Sequence, residues 1–161
     1  DFGLIGLPNA GKSSLLNEIT NAQAKIGDYP FTTLEPNLGV LQGRVLADIP
    51  GLIEGASEGK GLGHKFLKHI EKVHLLLHCI SSQSEDPLKD YRIVHQELKK
   101  YNSELLKKKE IILLTKSDLL KDEDLQKQLK KLSRTKKKIE IVSIHDWDSL
   151  QSLVKVLKTS F

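Results

Sequence analysis

The chain has 161 residues, of which 39% are hydrophobic, 29% charged and 5% aromatic. This length suits one domain with its own core, and the composition excludes a disordered or fibrous chain. No apolar run approaches the ~20 residues that a membrane-spanning helix needs, so we expect no membrane span. The single cysteine, Cys79, cannot form an internal disulfide, which favours a reducing cytoplasm.

Short apolar runs alternate with amphipathic segments along the chain, which is typical of an α/β fold. Gln42-Gly43 separates the second and third strands as a tight hairpin, whereas irregular or helical segments separate the others. We therefore expect a mostly parallel six-stranded sheet with one antiparallel strand and helices on both faces. The predicted strands are 2–7, 37–41, 44–49, 75–80, 110–115 and 140–144. The predicted helices are 12–21, 63–72, 87–107, 123–132 and 148–159.

The link between the first strand and the first helix is rich in glycine and ends in Lys-Ser. Glycines let successive backbone N–H groups point at phosphate oxygens, and the helix dipole favours an anion there. A strand before the link and a helix after it are the context in which this pattern binds a nucleotide. We expect Lys12 to reach the outer phosphates and the Ser13 hydroxyl to hold Mg²⁺. The link is Gly6-Leu7-Pro8-Asn9-Ala10-Gly11-Lys12-Ser13, and Ser14 follows it.

Two further segments carry groups suited to Mg²⁺ and a γ-phosphate. Asp48-Ile49-Pro50-Gly51 ends the third strand. There Asp48 can hold Mg²⁺ through a water, and the N–H of Gly51 is free to meet a γ-phosphate. Thr32-Thr33 lies between the first helix and the second strand, where a hydroxyl can complete the coordination of Mg²⁺. These segments predict a site for a nucleoside triphosphate.

The last two strands end in groups that can recognise guanine. Thr115-Lys116-Ser117-Asp118 ends the fifth strand, and Asp118 can accept from both the ring N–H and the exocyclic amine of guanine. Adenine offers no such pair of donors, so the carboxylate selects against it. Ser143-Ile144-His145 ends the sixth strand, where the N–H of Ile144 can donate to the guanine carbonyl. Each element is weak alone, but five in order at the carboxyl ends of their strands indicate GTP.

With these five motifs the chain resembles the GTPases of the translation-factor-related class, and longer stretches resemble the Obg (CgtA) family. The similar stretches are the phosphate loop, residues 28–40 and residues 47–67, and the resemblance becomes diffuse after Ser81. It implies a bacterial-type GTPase that acts on the large ribosomal subunit or its RNA. It also implies that residues 1–161 are one OBG-type domain, preceded in the whole protein by a glycine-rich domain. A start on a strand at Asp1 and the lack of methionine favour such an excised domain.

The resemblance also assigns roles to individual residues. It makes Thr33, rather than Thr32, the Mg²⁺ ligand beside Ser13 and Asp48. It implies that Lys12, Thr33 and Gly51 act in catalysis. The segments that would sense the γ-phosphate are 48–51 and Phe31-Thr32-Thr33-Leu34-Glu35.

Two residues depart from the family pattern in the guanine segments. Thr115 replaces the usual Asn, and its shorter side chain is expected to hold the base loop less well. Ile144 replaces a usual Ala, but its role is through the backbone. We therefore expect guanine binding to survive both changes.

The residues around the triphosphate predict slow hydrolysis. Leu52 stands where many GTPases have a water-positioning glutamine, and no arginine lies in the phosphate loop or in 22–36. The side-chain oxygen of Asn9 is a candidate K⁺ ligand against the phosphates, which would replace the missing charge. The alternative is that Asn9 only braces the loop. A partner in trans, such as the ribosomal subunit, is the other source of activation.

Three functions are compatible with these residues. The leading one is a cytoplasmic, monomeric switch that hydrolyses GTP to GDP with Mg²⁺ during large-subunit assembly and binds no DNA. The second is a binding module for GDP or a stringent-response nucleotide, with negligible catalysis of its own. The third is an adenine-nucleotide ATPase or kinase, which Asp118 and Ser143-Ile144 oppose.

Other features carry weaker signals. The net charge of +4 comes from late lysine clusters at 107–109, 130–131 and 136–138, which predict either a solvated surface or a contact with RNA or another anion. The histidines 64, 69, 74 and 78 do not share one helical face, so a metal site among them is disfavoured. Cys79 is expected to be buried and inert, and Trp147 to pack against the core.

Overall fold

The computed structural model describes residues 2–20, 38–49 and 70–160. Within them one six-stranded sheet has the strand order β2-β3-β1-β4-β5-β6. Only the β2–β3 pair is antiparallel among these strands, so the predicted architecture is confirmed. The strands are β1 (Phe2–Ile5), β2 (Leu38–Leu41), β3 (Arg44–Asp48), β4 (Leu75–Ser81), β5 (Lys109–Thr115) and β6 (Lys138–Ile141).

Four α-helices within the described ranges cover the two faces of this sheet. They are α1 (Lys12–Thr20), α2 (Pro87–Tyr101), α3 (Asp122–Leu132) and α4 (Trp147–Lys158). Buried leucines of α1 and α4 pack on one face, with Leu77 and Leu113 of the central strands. Val94 and Leu98 of α2 pack on the opposite face with Leu76. The predicted helix 63–72 falls almost entirely outside the described residues.

The β2–β3 hairpin turns through Gln42 and Gly43, as expected. Both residues have positive φ, 52° for Gln42 and 81° for Gly43. This is the two-residue turn whose twist matches that of the flanking strands. The hairpin ends the sheet on one side and brings Asp48 beside β1.

Several predicted boundaries were wrong, with the largest differences at the helix expected over 87–107, at β6 and at β1. The helix expected over 87–107 stops at Tyr101, because Asn102 is extended and its side chain accepts from the N–H of Glu104, which starts a separate 3-10 turn over Ser103–Lys107. Strand β6 covers Lys138–Ile141 rather than 140–144, since the ladder with β5 begins at the exposed Lys138 and ends at Ile141. Strand β1 ends at Ile5, because Gly6 already has a φ of 152° that a regular strand does not adopt.

A buried polar cluster joins β4, β5 and α2. The Glu110 side chain is 2% exposed, and His78 Nδ1 and His95 Nε2 each lie 2.9 Å from its Oε1. Burial would raise the pKa of Glu110, but its hydrogen bonds to His78 and His95 outweigh that effect and hold the pKa below its usual range. Burial lowers the pKa of His78. The ammonium of Lys137 lies 3.5 Å from Glu110 Oε2 and adds positive charge beside the carboxylate.

We predict that this cluster makes the fold acid-sensitive. The depressed pKa of His78 means that the unfolded chain takes up a proton below about pH 6.5 while the native chain does not. Stability is therefore complete above that pH and is lost as the pH falls, by up to about 1.4 kcal/mol per pH unit. Urea unfolding from pH 7.5 to 5.0 measures it. The His78→Asn variant should show a shallower fall, and an equal slope in both proteins would contradict the assignment.

Candidate functional site

The phosphate loop connects β1 to α1 through three residues with positive φ. These are Gly6 at 152°, Asn9 at 64° and Gly11 at 83°. A Cβ on Gly6 would lie 2.4 Å from the carbonyl oxygen of Cys79, so only glycine fits between the loop and β4. Asparagine tolerates the left-handed region better than other side chains, which suits Asn9. Lys12 then begins α1, so the N-terminus of that helix points into the loop.

Lys12 closes this loop on itself. Its ammonium donates to the carbonyl oxygens of Gly6 at 3.0 Å and Leu7 at 3.3 Å. The side chain thus crosses the concave side of the loop, where a bound phosphate would meet it. The loop is arranged to surround an anion with backbone N–H groups and one ammonium.

Ser13 and Asp48 come together beside the loop from α1 and β3. The Ser13 hydroxyl donates to Asp48 Oδ2 at 2.5 Å. Asp48 is 5% exposed, and its other oxygen, Oδ1, has no hydrogen-bond partner among the described residues. A buried carboxylate oxygen without a donor is costly unless a cation or water satisfies it. This hard-oxygen pair therefore fits Mg²⁺.

The guanine-type segment after β5 is bonded directly to the phosphate loop. The Thr115 hydroxyl donates to the Ala10 carbonyl at 2.7 Å, and the Lys116 ammonium donates to the Asn9 carbonyl at 2.9 Å. Thr115 is 4% exposed. The shorter threonine side chain thus reaches the loop, and the expectation that it holds the loop less well than Asn stays a prediction. These bonds fix the spacing between the two segments.

Asp118 is oriented by the segment after β6. The Ser143 hydroxyl donates to Asp118 Oδ1 at 2.7 Å. Ser149 of α4 fixes Ser143 in turn, since its hydroxyl accepts from the Ser143 N–H at 3.0 Å and lies 3.2 Å from the Ser143 carbonyl. No described residue donates a hydrogen bond to the second carboxylate oxygen of Asp118. This arrangement suits recognition of two adjacent N–H donors.

A cavity of about 180 Å³ lies between the two segments. It is mostly apolar, with Asp118 and Lys116 as its charged groups, which is the character of a site for a planar base. Leu119, 53% exposed, forms part of the wall. The lining residues are Gly11, Ser14, Leu15, Thr115, Lys116, Asp118, Leu119, Val142, Ile144 and His145.

Several predicted site residues lie outside the described part of the chain. They are Phe31, Thr32, Thr33, Leu34, Glu35, Pro50, Gly51 and Leu52, the last of which stands where many GTPases have glutamine. The roles inferred for Thr33 and Gly51 therefore stay predictions. Ile49 is described, and it is buried behind the site with 1% exposure.

Sequence reasoning missed the residues that support the guanine segment from behind. The buried Ser82 hydroxyl donates to the Lys116 carbonyl at 2.7 Å. Gln128 of α3 donates to the Ser82 carbonyl at 2.8 Å. A polar residue on the apolar face of α3 is the signal that could have indicated Gln128.

Trp147 contradicts its sequence-based expectation, whereas Cys79 agrees with its own. Trp147 was wrongly expected to pack against the core, because it is 69% exposed at the start of α4. Cys79 is 1% exposed, and burial raises the pKa of its thiol to about 12. It is therefore buried and inert, as expected.

Comparisons with known proteins identify the family to which the chain belongs. The model of the family described as "50S ribosome-binding GTPase" matches residues 1–116. GTPase Obg 2 of Anaplasma marginale (strain Florida) is 50% identical over 161 residues, covering 98% of this chain and 49% of that protein. GTPase Obg of Parabacteroides distasonis is 56% identical over 128 residues, covering 76% of this chain and 33% of that protein. The chain spans about half the length of the first of these relatives.

A solved structure shares the fold at low sequence identity. Era, in complex with MgGDPNP and nucleotides of 16S ribosomal RNA, has a TM-score of 0.68 and 18% identity, covering 97% of this chain and 54% of that chain. No helix within the described ranges is long and apolar enough to cross a membrane. The family model and the Obg relatives together confirm the family that the motifs indicated. The chain belongs to the family of 50S ribosome-binding GTPases, and its resemblance to the Obg proteins is confirmed.

Proposed function

We propose that this chain binds GTP and GDP and slowly hydrolyses GTP to GDP and phosphate in the presence of Mg²⁺. One observation carries the proposal: the phosphate loop and the Asp118 segment are joined through Thr115 and Lys116. The cavity that contains the Asp118 carboxylate therefore lies beside the phosphate loop. GTP fits both the cavity and the phosphate loop, because guanine offers two adjacent N–H donors to Asp118 and the phosphates can bind in the loop.

Each group has a distinct task in this proposal. Lys12 would leave the loop carbonyls for the β- and γ-phosphates, and Ser13 and Asp48 would hold Mg²⁺. The bound ion supplies positive charge against the charge that develops on the transferring phosphate. Thr33 and Gly51 would sense the γ-phosphate, which makes the chain a nucleotide-gated switch.

Slow turnover follows from what surrounds the phosphates. Leu52 cannot orient the attacking water. The phosphate loop contains no arginine, and Arg44 lies at the opposite end of β3 from Asp48. An arginine finger alone is worth roughly 10³–10⁵ in rate. K⁺ bound by the exposed side chain of Asn9 would supply part of that charge.

The lack of a water-positioning glutamine and of an arginine in the phosphate loop also supports a second candidate function. A chain with Leu52 in place of the glutamine could bind guanine nucleotides and exert its effect by binding alone, with negligible catalysis unless a partner supplies the missing groups. In either case we propose a cytoplasmic role in assembly of the large ribosomal subunit. The support for that role is the description of the matched family and the similarity to Obg proteins.

Turnover of GTP and ATP in KCl and in NaCl tests the proposal. We expect Mg²⁺-dependent GTP hydrolysis, none of ATP, and a faster rate in KCl that is lost in the Asn9→Ala variant. Equal rates in the two salts would refute the use of K⁺. Tight GTP and GDP binding without turnover in either salt would favour the binding module, and turnover of ATP at a similar rate would overturn guanine selectivity.

A further inference from the structure

The charges of this chain are distributed unevenly along the sequence. Residues 99–138 contain 14 lysines and arginines but six aspartates and glutamates, whereas the rest of the chain contains 11 and 15. The basic segment therefore has a net charge of +8 in a chain of +4. An excess of this size on one segment indicates an anionic partner if the fold gathers it on one surface.

The fold gathers most of these cations at one end of the sheet. Strands β5 and β6 are parallel, with Ile111 paired to Lys138, so the lysines before them share one edge. Helices α2 and α3 run back from the nucleotide end and finish at the same edge. Their last turns contribute further cations. We call the five exposed cations there the lysine rim: Lys99, Lys109, Lys130, Arg134 and Lys136.

Acidic side chains do not neutralise the rim. Neighbouring cations are paired with carboxylates, as in Lys107–Glu104 and Lys138–Glu140, at 2.8 and 3.2 Å. The five rim residues have no carboxylate within 4 Å in the part of the chain that the structure describes. Their charge is therefore available to a partner.

We propose that the lysine rim binds the phosphate backbone of ribosomal RNA, an inference that rests on the proposed function. Four lysines and one arginine, with no aromatic residue among them, suit phosphates rather than stacked bases. A membrane surface fits less well, because it needs apolar side chains beside the charges. The large exposed hydrophobic residues of the described ranges, Val40, Leu119 and Trp147, belong to other parts of the fold.

The position of the lysine rim indicates that RNA and nucleotide bind to separate parts of the fold. The rim lies at the amino ends of the strands, whereas the phosphate loop and Asp118 lie at the carboxyl ends. RNA held at the rim leaves the guanine cavity open. The rim therefore acts as a nucleotide-independent tether, distinct from any surface that the γ-phosphate controls.

Binding of purified large-subunit ribosomal RNA over a series of salt concentrations tests the tether. The variant removes three rim charges, Lys130→Gln, Arg134→Gln and Lys136→Gln. We expect at least about a tenfold loss of affinity in moderate salt and a fall of about 2 in the slope of log K against log salt, since each phosphate contact contributes about 0.7–0.9. The loss should be the same with GDP and with a non-hydrolysable GTP analogue.

The matched control removes three exposed charges elsewhere, Lys89→Gln, Arg92→Gln and Lys121→Gln. It should keep most of the RNA affinity and slope. An equal loss in both variants, an unchanged slope in the rim variant, or tighter binding to vesicles of anionic phospholipid than to RNA would overturn the proposal. GTP turnover, measured on the same preparations, distinguishes the failure of the proposed function from the failure of the lysine-rim proposal. If the protein does not hydrolyse GTP but still binds RNA through the lysine rim, only the proposed function is contradicted.

Discussion

Replacing Lys12 with alanine should reduce single-turnover GTP hydrolysis by about 100- to 1,000-fold, the scale of removing one group that stabilises developing charge. The structure gives the reason, because the Lys12 ammonium already crosses the phosphate loop to the carbonyls of Gly6 and Leu7. Phosphate oxygens would replace those carbonyls as its partners. The same substitution should also weaken GTP binding more than GDP binding, since we expect Lys12 to contact the γ-phosphate, which GDP lacks.

Thermal unfolding and the Lys121→Ala variant are the controls for this result. Lys12 is partly exposed, and its two bonds lie within one loop, so the melting temperature should change by only a few degrees. Lys121 is exposed before α3 and has no place in the proposed site. Wild-type turnover in the Lys12→Ala variant would rule out a catalytic role for Lys12 in the phosphate loop. An equal loss of turnover in the Lys121→Ala variant would point to a general effect of charge.

The sequence predicts the nucleotide end of this fold well because its determinants are local. Gly6, Asn9 and Gly11 need unusual backbone conformations, and those needs are visible in residue type and spacing. The order of segments at strand ends then brings Asp48 to Ser13 and Ser143 to Asp118, because the carboxyl ends of parallel strands share one edge. The topology thereby brings the described parts of these patterns to one edge of the sheet.

Long-range side-chain contacts were not predictable in the same way. Ser82 and Gln128 are 46 residues apart, and their bond depends on how α3 packs on the sheet. His78 and Glu110 meet because β4 and β5 pair in one register, which a single sequence does not specify. The exposure of Trp147 was not predictable either, because it depends on which side of α4 packs on the core, and that side carries Leu150, Leu153 and Leu157.

The Gly6→Ala variant should be destabilised by about 3 kcal/mol or more, because two separate costs coincide at this position. Its φ of 152° is strained for any residue with a Cβ. The added Cβ would also lie 2.4 Å from the Cys79 carbonyl oxygen. That oxygen belongs to β4, which is paired with β1 on one side and β5 on the other, so the backbone cannot move aside cheaply.

Gly43→Ala separates these two costs. Gly43 also has positive φ, 81°, but nothing lies within 4 Å of the Cβ that alanine would add. It should cost about 1 kcal/mol from backbone strain alone, a shift in melting temperature of about 2–4 °C for a domain of this size. Gly6→Ala should shift it at least three times as far and abolish nucleotide binding, because β4 and the phosphate loop would separate. Equal shifts in the two variants would mean that strain, and not contact with β4, makes glycine necessary at the start of the phosphate loop.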